Sequence, residues 1–184
     1  MTLTETKIEG CFIIEPKVIY DERGYFFESF NAKTFYKNTN AKVRFVQDNE
    51  SFSSKGVLRG LHYQNGSYAQ AKLVRVISGN VLDVAVDMRR NSPTYGHHVS
   101  VELSCTNKKQ LFVPRGFAHG FIVLSDMAIF SYKCDNYYNK ASEGGIIYND
   151  KSLAIDWKLS EDQILISEKD LLLPSFENSN YEPY

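Results

Sequence analysis

Cysteine is scarce in this chain of 184 residues: Cys11, Cys105 and Cys134 stand far apart, and none belongs to a C-x-x-C pair. An odd number so spaced argues against a disulfide framework and a thiolate zinc site, and leaves three reduced packing residues. An excess of one charge is missing too. Lys+Arg number 21 against 22 Asp+Glu, a net charge of -1, so the overall balance points to neither a nucleic-acid nor a membrane partner. An anionic ligand would need locally gathered positive charge. No apolar run approaches the roughly 20 residues of a membrane helix. Met1 to Gly10, carrying Glu5, Lys7 and Glu9, lacks the apolar centre of a secretory leader, so a cytoplasmic location is expected. Internal repeats and low-complexity tracts are absent as well.

What is present is a hydrophobic fraction of 43%, enough for one sizeable core, and the expectation is a single domain over residues 1–184 with a polar, mobile tail at 175–184. Aromatics, Val and Ile fall in short segments punctuated by glycine and polar turns, which predicts an all-β domain. Strands are expected at Phe12 to Ile19, Gly24 to Phe30, Arg44 to Ser51, Val57 to Gln64, Lys72 to Ile77, Val81 to Met88, His98 to Leu103, Gln110 to Val113, Ala118 to Leu124 and Ala128 to Cys134. Ser78-Gly79-Asn80 should close a tight hairpin. Short helical pieces are expected at Ala32 to Tyr36 and from a Ser160 N-cap to Ile166. So many strands cannot lie in one open sheet without long exposed edges, and a two-sheet jelly roll is the economical closure.

Polar residues then stand out where the barrel should be apolar. Tyr132 alternates in phase with Ala128, Phe130 and Cys134, and Lys72 with Val74 and Val76, so both should face inward. His62 alternates with Leu58 and Gly60. Arg59 falls out of phase with His62, which means either a bulge at Gly60 or a strand serving two surfaces. Unpartnered buried charge costs several kcal/mol, so this concentration marks a site.

Several segments occur together in one order: Asp21-Glu22-Arg23-Gly24-Tyr25-Phe26-Phe27-Glu28, Gln47-Asp48-Asn49, Gly56-Val57-Leu58-Arg59-Gly60-Leu61-His62-Tyr63-Gln64, Gln70-Ala71-Lys72-Leu73-Val74-Arg75-Val76, Pro114-Arg115-Gly116-Phe117-Ala118-His119, Tyr132-Lys133 and Ser167-Glu168-Lys169-Asp170. In these the chain resembles the dTDP-4-dehydrorhamnose 3,5-epimerases, sugar-nucleotide epimerases of the cupin class, over nearly its whole length. The resemblance implies a cupin-type jelly roll with a few short helices, a homodimer formed by strand exchange, no cofactor and no metal. It implies inversion of two carbons beside a 4-keto group, with His62 as base, Asp170 orienting its imidazole, Lys72 stabilising the enolate oxygen and Tyr132 delivering a proton from the opposite ring face. It places Arg23, Glu28, Gln47, Asn49, Arg59, His119, Glu143 and Lys169 around the nucleotide-sugar substrate, with the Arg23 and Glu28 region completing a neighbour's pocket. Asn65 to Tyr68, where relatives often carry prolines, and Tyr148, in place of a common tryptophan, depart from the family pattern. Neither touches the acid or base.

Three other readings compete. A metal cupin would share Pro114 to His119, but it needs a His-x-His pair, and His62 is followed two positions later by Gln64. A non-catalytic binding module would have no use for His62, Lys72, Tyr132 and Asp170 together. An epimerase acting at C3 or C5 alone, or on another nucleotide-linked keto sugar, fits the same residues. His97 and His98 are adjacent in a strand and read as structural or surface residues.

Overall fold

The alternation of the sequence becomes thirteen strands in the computed structural model, which describes residues 1–184. They are β1 (Thr2–Glu5), β2 (Phe12–Glu15), β3 (Ile19–Asp21), β4 (Gly24–Phe26), β5 (Gln47–Ser54), β6 (Leu58–Gln64), β7 (Lys72–Ser78), β8 (Asn80–Asp87), β9 (His98–Ser104), β10 (Gln110–Val113), β11 (Phe117–Val123), β12 (Met127–Cys134) and β13 (Glu143–Gly145). Two short helices, α1 (Ala32–Thr39) and α2 (Glu168–Leu171), complete the set. One antiparallel sheet runs β1-β2-β10-β7-β12-β5, the other β13-β6-β11-β8-β9, and β3 with β4 forms a separate hairpin. The jelly-roll expectation holds.

Val74, Val76, Ala128 and Phe130 of the first sheet meet Val81, Ala85, Phe117, Phe121 and Val123 of the second in the central core. Each such large side chain contributes about 1.5–3 kcal/mol when fully buried. A second cluster covers the outer face of the five-stranded sheet, where Leu58, Leu61, Tyr63, Val84 and Ile122 pack under Ile146, Leu153, Trp157 and Tyr181. On the outer face of the six-stranded sheet, Phe35 of α1 packs against Ile14, Leu73 and Phe112. Asn31 caps α1 by accepting from the Thr34 amide, and Asn40 ends it in a left-handed conformation. No helix is long and apolar enough to cross a membrane.

Several sequence expectations need correction. Ser78-Gly79-Asn80 closes no hairpin: β7 pairs with β10 and β12, while β8 pairs with β9 and β11. With Gly79 at φ 83, the ribbon instead turns a corner from one sheet into the other. The expected strand Phe12 to Ile19 breaks at Pro16, which has no N–H to give a ladder, and that at Gly24 to Phe30 ends at Phe26. The segment from Ser160 to Ile166 forms only one 3-10 turn, Glu161–Gln163; beyond it Leu165 runs extended, forming an isolated parallel bridge with Val57. In the last ten residues Tyr181 is buried against Tyr63, the Tyr63 hydroxyl donates to Asn180, the Glu182 amide donates to the Asn65 side-chain oxygen, and the Glu182 carbonyl accepts from the Gly66 amide.

Candidate active site

The site begins with an irregularity in β6. His62 pairs with His119 and Arg59 with Phe121, so Gly60 and Leu61 of β6 together oppose the single residue Gly120 of β11, a bulge at Gly60. The bulge cancels the phase difference. Arg59 and His62 share the face toward the sheet interior, while Leu58 and Leu61 point to the other side. Inward placement of His62 was expected from its alternation with Leu58. The placement is right, but Leu58 lies on the opposite face and the bulge supplies the missing residue. Glycine is required here: φ at residue 60 is 121, and a Cβ would sit 2.6 Å from Gly120 Cα and 2.8 Å from the His119 carbonyl oxygen.

The bulged backbone also helps to hold the acid behind His62. Asp170 Oδ1 lies 2.8 Å from His62 Nε2, and Asp170 Oδ2 accepts from the Gly60 amide at 3.2 Å. Burial acts to raise the Asp170 carboxyl, which is only 4% exposed, but the bonds from His62 and Gly60 and the charge of Lys169 outweigh it and hold the group below its ordinary range. An ionised carboxylate only accepts, so His62 Nε2 carries a proton toward Asp170, and Nδ1 is the ring nitrogen that this contact leaves free. Asp170 arrives from far along the chain because Leu165 bonds to Gly56 and Leu58, and Ser167 then caps α2 at the Asp170 amide.

Lys72 and Tyr132 come from the other sheet. They lie on neighbouring strands β7 and β12, with Lys72 Nζ 5.9 Å from the centre of the Tyr132 ring. Burial pushes the Lys72 ammonium below the ordinary lysine range, against the opposing influence of Cys134, Asp83 and Glu143. Burial, helped by Cys134, pushes the Tyr132 phenol up, against Asn49 and Arg59. Tyr132 therefore stays protonated at neutral pH. His62, Lys72, Tyr132, Arg59, His119, Lys169 and Asp170 all line one cavity of about 790 Å³, with Phe121 and Phe130 stacked at 4.1 Å along its wall. An adjoining cavity of about 270 Å³ shares His62, Lys72 and Tyr132 and adds Gln47, Asn49, Tyr138 and Glu143. An imidazole on one sheet thus shares a cavity with a phenol and an amine on the other.

A family model described as dTDP-4-dehydrorhamnose 3,5-epimerase matches residues 5–178. The chain belongs to that family. A dTDP-4-dehydrorhamnose 3,5-epimerase of Shigella flexneri is 54% identical over 181 residues, covering 98% of this chain and 99% of the relative. The crystal structure of one from Elizabethkingia anophelis superposes with a TM-score of 0.95 at 57% identity, over 98% of this chain and 99% of that one. A dTDP-6-deoxy-D-glucose-3,5-epimerase of Legionella pneumophila, crystallised with dTDP-4-keto-L-rhamnose, superposes with a TM-score of 0.95 at 50% identity, over 100% of this chain and 98% of the other.

Of the residues carried over from the epimerase family, Arg23 and Glu28 do not line either cavity. Arg23 projects from the β3–β4 hairpin, its side chain 85% exposed and paired only with Asp21, and Glu28 accepts from Asn31. Glu143 and Lys169 form an ion pair at 2.7 Å, and His119 Nε2 lies 2.9 Å from buried Asp83 Oδ1. Although His62 and His119 are register partners, each engages its own carboxylate, and no group of three or more His, Cys, Asp or Glu is placed to hold a metal ion. Two contributors escaped the sequence reading. Tyr138 donates to Glu143 at 2.8 Å and lines the smaller cavity, and Ile164 to Ile166 line the larger one. The exposed Tyr137-Tyr138 pair in a polar loop was the available signal for the first; nothing local marked the second.

Proposed function

We propose that this chain inverts C3 and C5 of dTDP-4-dehydro-6-deoxy-D-glucose, giving dTDP-4-dehydro-L-rhamnose for dTDP-L-rhamnose biosynthesis. The observation that carries the reading is the placement of His62 with Asp170 on one wall of a cavity and Lys72 with Tyr132 on the other. A C–H beside a ketone is acidified by delocalisation into the carbonyl. His62 Nδ1 takes the proton from C3, electron density moves to O4, and the Lys72 ammonium stabilises the enolate. Tyr132 then gives its proton to the opposite face of C3, which inverts the centre. Proton exchange with solvent resets the pair, and the same cycle runs at C5. A positioned base of this kind is worth about 10²–10⁴-fold in rate, and one preorganised oxyanion donor about 3–4 kcal/mol.

Arg59 and Lys169 supply positive charge for the diphosphate, and Gln47, Asn49, Glu143 and His119 supply polar contacts to the rest of the substrate. Arg23 and Glu28 act in the pocket of a second copy. The β3–β4 hairpin belongs to neither main sheet and exposes Ile19, Tyr20, Tyr25 and Phe26, the last 71% exposed, a patch that docking on a partner would bury. The free cysteines, two of them buried, suit the reducing cytoplasm.

Incubation with the keto sugar nucleotide in D2O, followed by NMR and a coupled reductase, tests the chemistry: deuterium is expected at both C3 and C5, and labelling at one centre or neither would overturn it. For the shared site, a mixture of Arg23→Ala and His62→Ala proteins is expected to regain activity that each lacks alone, because a mixed dimer contains one intact site. No recovery after subunit exchange would refute strand exchange.

A further inference from the structure

The arginine that lines the larger cavity is oriented by neutral acceptors. Arg23, Arg89 and Arg115 are each closed by a carboxylate, from Asp21, Asp87 and Asp135. Arg59 instead donates from Nε to the Ser53 hydroxyl at 3.1 Å, with a longer contact of 3.5 Å from Nη2 to the Phe52 carbonyl. Both acceptors lie on the same edge of the guanidinium. Of its five N–H groups, those on Nη1 and one on Nη2 remain, and they include the end-on Nη1–Nη2 edge. A neutral acceptor orients the group without cancelling its charge.

Ser53 is suited to that task by its place in β5. The strand alternates, with Asp48, Glu50 and Phe52 exposed and Gln47, Asn49, Ser51 and Ser53 turned inward, and Ser53 is only 4% exposed opposite Ala128 of β12. It lines neither cavity, so it reaches a ligand only through Arg59. We infer that Ser53 is a positioning residue for the phosphate grip: its buried hydroxyl anchors the Nε edge of Arg59 so that the Nη1–Nη2 edge meets the diphosphate. This rests on the reading of Arg59 as a diphosphate contact. A long side chain ordered before binding loses less freedom on binding than one that must be ordered by the ligand.

Calorimetric titration with TDP and steady-state kinetics on Ser53→Ala, Arg59→Ala and the double variant test it. Ser53→Ala is expected to weaken TDP binding and raise KM about tenfold, the size expected for one hydrogen bond to a charged group, while kcat changes less than about twofold. In the Arg59→Ala background the same substitution should change TDP affinity by less than about twofold. An equal loss in both backgrounds, or unchanged affinity in Ser53→Ala while Arg59→Ala binds weakly, would overturn the role of Ser53. Wild-type affinity in Arg59→Ala would overturn the reading of Arg59 itself, and with it this inference.

Discussion

Replacing Lys72 with methionine should make the protein more stable and nearly inactive. Burial lowers the Lys72 pKa from 10.5, so the folded state holds this proton less tightly than the unfolded chain does. Between the folded pKa and 10.5 the unfolded state binds more protons, and stability rises with pH; below the folded value the burial cost is present in full. Methionine keeps the length and packing of the stem and removes the charge. Substituting an apolar residue for buried ionic groups is neutral or stabilising by about 1–4 kcal/mol. Because Lys72 is half-buried, lining both cavities, and feels Cys134, Asp83 and Glu143, the low half of that range applies, about 1–2 kcal/mol. For a chain of this size that corresponds to a Tm higher by about 3–6 °C near neutral pH, with the gap over wild type narrowing as pH climbs toward 10.5. The same substitution removes the ammonium proposed to stabilise the enolate and should lower kcat by about 10²–10³-fold. Thermal melts across pH and deuterium exchange in D2O measure the two effects. A Tm at or below wild type at pH 7, a gap that widens with pH, or exchange within tenfold of wild type would refute the reasoning.

His62→Ala is expected to abolish C3 and C5 exchange while TDP affinity, by calorimetry, stays within a few-fold, since the phosphate contacts are proposed to lie elsewhere, at Arg59 and Lys169. Tyr132→Phe should reduce epimerised product far more than it reduces deuterium exchange, because it removes the acid and keeps the base; NMR of both signals in one sample checks this, and equal loss would argue for another role. Asp170, whose pKa lies below 3.8, contributes stability above that value that is lost as pH falls through its folded pKa; Asp170→Asn should remove this part of the acid dependence of the melting curve and also lower kcat. Gly60→Ala should cost on the order of 3 kcal/mol or more, because its Cβ collides with backbone at 2.6 Å. Urea unfolding measures it, and a loss under about 1 kcal/mol would contradict the bulge geometry.

Regular strands carried their message in the sequence. Tyr132 and Lys72 could be assigned to the interior because β12 and β7 keep the two-residue period along their apolar faces, and a side chain in phase with Phe130 or Val74 has only one direction to point. The family motifs likewise singled out His62 and Asp170, which the structure brings together. Periodicity alone could not choose between the two explanations for Arg59, since a bulge at Gly60 becomes visible only when β6 is paired with β11. Nor could it see that Ser78-Gly79-Asn80 joins two sheets, because a tight turn reads the same locally whether its strands pair or part. Asp170 reaches His62 through backbone bonds between Leu165 and the start of β6, a contact that depends on the whole course of the intervening chain. Side-chain direction is a local property of a strand and was legible in the residues; which strands become neighbours, and which edge of Arg59 is left free, follow from long-range pairing and were decided by the tertiary structure.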